Sequence, residues 1–402
     1  MPGPMGLPGI PGPVGPMPTG TALTTESNTF NGNQTVSGSL ILKGPGSGVQ
    51  FADGSVLSSA AAAGVPAGFM IMGPAPVPPP GYTLGGAFNV GDLWSAVSPM
   101  PTGRFNLASA DLNGKIYAIG GSFTWTTVEV YNPTTDTWAT AASLPTTRSG
   151  LGAAAVNGKI YAIGGIDING QPQTTTEVYD PTQDSWTSII AIIDRGLEAG
   201  PLVVTYASLP TARSQLAVTV LNGKIYAMGG EDASGTNLNT VEVYDPSTNK
   251  WSAAAPLPTG ASGLAATAVN GKIYVMGGFA PGKLNTLQVY DPSSDSWSSA
   301  ASMPTPKADL SAATLNGKVY AIGGLIDTPT TFNGPTNTVD VYDPATDVWK
   351  SAAPMLSSRG QFGACTVSGF IYAFGGSLPF VSFTGAAEQY FPSARQYLFL
   401  KN

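Results

Sequence analysis

Apolar and polar positions along this chain fall into a pattern that returns again and again. Leu112-Asn-Gly-Lys-Ile-Tyr-Ala-Ile-Gly-Gly121 holds a polar pair, a run rich in apolar residues, and two glycines. Close copies begin at Val156, Leu221, Val269, Leu315 and, more loosely, Val367. A second piece follows each Gly-Gly: Val128-Glu-Val-Tyr-Asn-Pro133 first, then Val243-Tyr-Asp-Pro246 and Val341-Tyr-Asp-Pro344. Seven residues beyond that tyrosine stands an aromatic, in turn Trp138, Trp186, Trp251, Trp297, Trp349 and Tyr397. The copies start 44 to 65 residues apart and contain four strand-like pieces each. That is the period of a β-propeller blade.

Each piece has a physical reason. Lys115-Ile-Tyr-Ala-Ile and its copies are β-branched or aromatic runs of strand length. Asn-Gly tolerates positive φ and suits a tight hairpin from an innermost strand to the second. Gly-Gly ends the second strand where side chains would crowd the neighbouring blade. Asp-Pro opens the turn after the third strand, and the tryptophan opens the outer strand, filling the widening wedge between blades. Gly-Gly, Tyr and Trp at these spacings resemble the kelch repeat over roughly residues 94–397. The resemblance implies an all-β fold, a six-bladed propeller of four-stranded blades.

Trp94-Ser-Ala-Val-Ser-Pro-Met-Pro101 matches the outer-strand pieces but precedes the first Asn-Gly-Lys. It is expected to be the fourth strand of the last blade. Tyr397-Leu-Phe-Leu-Lys-Asn402 competes for that slot and is expected to pair outside Trp94 or cover its edge. The blade of Trp186 carries an excess, Ile189 to Tyr206, that reads as two apolar strands around a polar turn and a hairpin added to the variable loop face.

The N-terminal quarter is different. Gly stands at 3, 6, 9, 12 and 15 among prolines, the collagen pattern, so residues 1–19 are read as a Gly-X-Y stem. Residues 20–66 alternate short strands with Gly turns and cannot bury a core in one chain. Val49-Gln-Phe-Ala-Asp-Gly-Ser-Val56 is similar to shaft segments of phage tail fibres, which implies a trimerising shaft; Ser58 to Ala63 suits one or two helical turns. Residues 67–93, with Pro74 to Pro80 as a polyproline spacer, read as a neck. Residues 94–402 are assigned to the propeller.

Composition then limits the chemistry. The chain has 402 residues, a formal charge of −7 and only 10% charged residues, so no basic patch for nucleic acid or an anionic membrane is expected. There is no run of apolar residues long enough for membrane insertion and no visible signal peptide. The one cysteine, Cys365, aligns with small residues of the innermost strands and reads as buried. Histidine is absent, which removes the commonest metal ligand and general base. No metal, no cofactor and no enzymatic activity are expected.

Candidate ligand-binding residues lie on the face that carries the variable loops. Three residues past each outer-strand proline stand Arg104, Arg148, Arg213, Ala261 and Lys307, with Arg359 following Leu356. They are expected to line the channel mouth, where forked guanidinium groups capture a carboxylate or sulfate, or else to tie adjacent loops together. Phe123, Trp125, Phe279, Phe332, Phe380 and Phe383 are candidate stacking faces for sugars. The expected protein is an extracellular or particle-surface fibre, a homotrimer that attaches to a cell-surface glycan or surface protein. The alternatives are a structural fibre component and an enzyme, because sialate-mutarotase-like isomerases are also built on six kelch blades.

Overall fold

The computed structural model describes residues 92–193, 202–329, 331–378, 382–392 and 394–401, and before these the short strands Gly48–Gln50, Val56–Ser58, Phe69–Met72 and Tyr82–Val90. Asp92–Pro392 form one compact unit; Met1–Gly91 and Ser393–Asn402 form another. The collagen-like triplets, the turns after Ser58 and the polyproline spacer lie outside the described residues.

The larger unit is a ring of six antiparallel four-stranded sheets. Blade one, Ala108–Leu112, Lys115–Ile119, Val128–Asn132 and Thr137–Ala141, sets the plan. Its first hairpin turns on Asn113 and Gly114, with φ of 52° and 73°, as a two-residue connection between twisted strands requires. The second strand is the most buried: Ile116, Ala118 and Ile119 are fully covered between neighbouring blades. At Gly120, φ is 61°, and a Cβ there would lie 2.7 Å from the carbonyl oxygen of Arg148, which leads into the next blade. Gly-Gly is therefore where one blade's backbone meets the next. Between blades the core is aromatic: Tyr131 lies against Trp138 with ring centres 5.1 Å apart, and against Tyr372 of blade six at 5.7 Å.

The ring closes with a strand from the front of the chain. Blade six is Gly363–Val367, Phe370–Phe374 and Ala387–Phe391, with Leu93–Val97 paired antiparallel to the last of these. Tyr390 faces Trp94 in that register, as Tyr131 faces Trp138 in blade one. Trp94 thus takes the outer-strand slot. The C-terminal strand, Ala394–Lys401, is not paired with it. It pairs instead with Phe69–Met72 and Tyr82–Val90 in the smaller unit, so the propeller ends at Pro392 and not at residue 402. Phe69-Met-Ile-Met72 and the alternating Tyr82–Val90 have strand character, but their partner is some three hundred residues distant.

Adjacent blades are latched by one repeated device. In each turn before an outer strand a residue with positive φ (Asp92, Asp136, Asp184, Asn249, Asp295, Asp347) offers a side-chain oxygen to two donors. In blade one, Asp136 accepts from Tyr131 Oη at 2.7 Å and from the Ser98 N–H of blade six at 2.8 Å. The Ser98 carbonyl then accepts from Trp138 Nε1 at 2.8 Å. The arrangement recurs at all six boundaries, including the seam, where Asp92 accepts from Tyr390 and Ala353 and Trp94 Nε1 donates to Ala353. The insertion after Trp186 does form a hairpin, Ile189–Ile193 with Leu202–Thr205. It leaves the outer strand between Ser188 and Tyr206, whose backbones are bonded, and Ala207 still makes the latch to Asn249 and Trp251. The hairpin therefore leaves blade two from its outer strand, as the position of the insertion after Trp186 implies.

Asn249 holds the same position in blade three, so Asp92→Asn is expected to leave stability within about 0.5 kcal/mol of wild type. Asp92→Ala removes both acceptor roles and places Ala at positive φ, costing about 1–3 kcal/mol. Denaturant unfolding of the two variants checks this; equal midpoints would show that the seam latch contributes nothing.

Candidate functional site

The five ring cations are not at the channel mouth. Arg104, Arg148, Arg213, Lys307 and Arg359 are completely buried. Each lies beneath a loop and reaches across its own blade to a third-strand carboxylate: Glu129, Glu177, Glu242, Asp340 and Glu388. The Arg213–Glu242 and Lys307–Asp340 contacts are 2.6 and 2.8 Å. The arginines also donate to second-strand carbonyls, Arg104 to Ala118 at 3.0 Å and Arg213 to Ala227 at 3.2 Å. Their own backbone carbonyls accept from the Gly-Gly of the preceding blade, as Arg148 does from Gly121. Of the two sequence readings, these contacts match the tying of loops, and the reading as an open anion ring is corrected. Tertiary pairing with a residue 25 to 33 positions away decides it, which no local pattern reveals.

Burial is costly for these pairs. At Arg148 and Glu177 it pushes both groups toward their neutral forms, the arginine down and the carboxyl up, against their mutual attraction. Blade four omits the pair altogether: Ala261 replaces the cation and Gln288 the carboxylate, leaving Gln288 Oε1 buried without a partner.

What does line the mouth is the residue two places further on. Asn106, Gly150, Gln215, Gly263, Asp309 and Gln361 surround the axis, with Leu107, Leu151, Leu216, Leu264, Leu310 and Phe362 beneath them. The backbones of the six form a closed circle of hydrogen bonds. Asn106 N–H donates to Gln361, Gly150 to Asn106, Gln215 to Gly150, Gly263 to Gln215, Asp309 to Gly263 and Gln361 to Asp309, at 2.7–3.0 Å. All six have φ between 51° and 61°. Glycine serves this conformation at two positions; Gln215 and Gln361 hold it at a cost of about 1 kcal/mol each. Backbone strain of this kind points to side chains that have a use.

The mouth encloses about 110 Å³, room for three or four waters at ~30 Å³ each, or for one end of a sugar ring. Asp309 is the one carboxylate in the circle. Burial pushes its carboxyl up to about 6, the charge of Glu231 adds to the rise, and a hydrogen bond from Gln361 Nε2 (3.3 Å) and the charge of Lys283 oppose it. Glu231 bridges backbone to Ser214, next to Gln215, and its carboxyl is also raised by burial. Lys283 is paired with Asp327 at 2.6 Å and is almost wholly covered. Among the described residues no cluster of three or more His, Cys, Asp or Glu side chains has metal-site geometry. Cys365 is a free, buried thiol pushed well up by burial.

The candidate aromatics separate into two places. Phe123 stacks on Phe383 with ring centres 4.6 Å apart and meets Phe105 edge-on at 5.8 Å, so this group adjoins Asn106 at the mouth. Phe332, 75% exposed, lies over the Lys283 ammonium at the boundary of blades four and five. Trp125 is partly covered, and its backbone carbonyl accepts from Arg148 N–H. Phe380 lies outside the described residues. Asp309, Glu231 and the glutamines were missed by sequence reasoning. The available signal was a repeat column, two residues past the cation, that reads Asn, Gly, Gln, Gly, Asp, Gln amid near-identical neighbours.

Truncating one partner of a buried pair leaves the other charge stranded, so Arg148→Ala is expected to cost about 3–5 kcal/mol. Arg148→Ala with Glu177→Gln copies blade four and should recover at least half of that loss. Urea unfolding decides it; a double variant as unstable as the single one would show that the charges are not what matters.

The chain matches the KLHDC2/KLHL20/DRC7 kelch-repeats domain over residues 201–377 and the kelch motif over residues 103–145 and 147–189. It is 35% identical over 49 residues to beta-scruin of Limulus polyphemus, and 41% identical over 46 residues to an F-box/kelch-repeat protein of Arabidopsis thaliana. These stretches are 12% and 11% of this chain and span only 5% and 12% of those relatives. The solved structure of YjhT superposes with a TM-score of 0.60 at 18% identity, covering 72% of this chain and 95% of that one. At that identity the likeness shows a shared fold, and on it the expectation of no enzymatic activity is withdrawn. The repeats that build this six-bladed propeller are kelch repeats.

Proposed function

We propose that the propeller is a carbohydrate-directed enzyme of the isomerase type, exchanging the anomers of a reducing sugar at the axial mouth. The observation that carries this reading is Asp309, a carboxyl held at about 6 in a small polar mouth with a second raised carboxyl, Glu231, nearby. Anomer exchange needs one proton delivered to the ring oxygen and one removed from the anomeric hydroxyl. The bond between the anomeric carbon and the ring oxygen breaks, a carbonyl forms, the chain end turns, and the reverse transfers reclose the ring. Nothing is consumed, and no cofactor enters. A group titrating near the working pH is the best placed to give and take such a proton. Asp309 is assigned as the acid and Glu231 as the base. Burial raises both carboxyls, which holds each closer to its proton than a free carboxylate.

A second reading, capture of a surface glycan without turnover, is favoured by the exposed Phe123–Phe383 stack beside the mouth. On this reading the preceding chain presents the propeller on a stem assembled from three copies through residues 3–66. The short strand pair Gly48–Gln50 with Val56–Ser58 fits a wrapped shaft. Light scattering of the full chain should give three times its 40.9 kDa; a monomer would exclude the stem.

Exchange NMR on a reducing sugar tests the enzyme reading. Asp309→Asn should slow anomer exchange 10²–10⁴-fold. The groups acting on Asp309 are Glu231, Lys283 and Gln361, so its titration sets the alkaline limb. The wild-type rate should fall as pH rises through about 6, where Asp309 loses its proton. An unchanged rate in Asp309→Asn would remove Asp309 from the mechanism.

A further inference from the structure

The sugar that fits this mouth can be narrowed by charge. Among the described residues the cations of the loop side are the five buried ring cations and Lys283, and all six are committed to carboxylates. Of the other propeller lysines, Lys159, Lys224, Lys272 and Lys318 pair with Asp180, Asp245, Asp291 and Asp343 at the hairpin turns on the opposite side of the ring, Lys115 holds the same turn position in blade one, and Lys250 and Lys350 lie on outer strands away from the axis. What remains at the mouth is amide, hydroxyl and carboxyl. Asn106, Gln215 and Gln361 offer both donors and acceptors, the pattern that sugar hydroxyls require. Ser122 and Ser149, bonded to each other at 2.8 Å, stand on the loop side between blades one and two. Glu231 and, once pH rises past about 6, Asp309 add negative charge.

Beside Asn106 the Phe105, Phe123 and Phe383 group supplies an apolar wall. Ser122 N–H bonds the Phe105 carbonyl at 2.8 Å, which fixes Phe123 against the edge of the circle. Aromatic faces of this kind meet the C–H face of a pyranose, while its hydroxyls meet the amides. A carboxylated sugar would bring its charge toward two carboxyl groups with no free cation to receive it. At a separation of several ångströms, that repulsion weakens binding about tenfold or more.

We infer that the axial mouth, flanked by the Phe123–Phe383 stack, takes a neutral sugar, a hexose or N-acetylhexosamine, and discriminates against sugars that carry a carboxylate. This rests on the carbohydrate reading proposed above, and it narrows the ligand class within it.

The test uses the full chain and matched probes. Glucose, galactose, mannose and N-acetylglucosamine are compared with glucuronate and N-acetylneuraminate, recording binding by saturation-transfer NMR and anomer exchange by exchange NMR at pH 5.5 and 7.5. At least one neutral sugar is expected to bind and exchange at least tenfold better than either acid. Phe123→Ala should weaken that neutral sugar about tenfold. Gln215→Arg, which adds an unpaired cation to the circle, should raise binding of glucuronate relative to glucose. Preference for an acidic sugar overturns the neutral assignment and leaves the isomerase reading standing. Selective binding of a neutral sugar without faster exchange supports the assignment and removes the isomerase. No binding of any probe overturns both.

Discussion

A ring of blades has no edges only if the last blade finds the first, and every other feature of this propeller depends on that closure. The latch that secures it is small: one side-chain oxygen, two N–H or O–H donors, and a tryptophan N–H returned to the same neighbouring residue. Because the residue that gives its N–H to the oxygen also gives its carbonyl to the tryptophan, the two bonds fix both the spacing and the tilt of adjacent outer strands. Around the axis, six backbone hydrogen bonds do the same at the loop-side mouth. Rim and axis together turn six marginal sheets into a single core, and the loops between them inherit its rigidity.

Much of that architecture was legible in the chain. Asn113-Gly114, Gly120-Gly121, Tyr131 and Trp138 each state a local backbone or packing demand, and their recurrence fixed blade number and strand order. Trp94 was legible for the same reason, being an outer-strand phrase out of place. The function of Arg148 was not. A cation at a loop end reads equally well as an open hand or a buried brace, and only Glu177, folded back from the third strand, separates the two. Asp309 was harder still, because its meaning lies in a circle of six residues drawn from six blades. The C-terminal strand was misplaced because hydrophobic alternation shows that a strand exists, not which distant partner it takes.

The buried cation–carboxylate pairs leave the mouth without an open guanidinium group. Guanidinium groups that would otherwise give the loop face a positive field are spent within the blades, where they hold second and third strands in register. Blade four manages with Ala261 and Gln288, so the pair is a means of specifying geometry and not an absolute need of the fold. With the positive charge withdrawn, the amides, Asp309 and Glu231 dominate what an approaching ligand meets. The same arginines thus bear on both the fold and the charge of the mouth, through where they are rather than what they touch outside.

The seam at Asp92 also bears on how the ring can be made. Tyr390 and Asp92 are 298 positions apart in the chain, yet their contact completes the same turn that Tyr131 and Asp136 complete across five. Five of the blades need only their own stretch of polypeptide and can pair as they emerge during synthesis. The sixth must wait for a strand that was made first and has stayed single throughout, an edge open to any passing partner. Its waiting time is the time needed to make all the other blades.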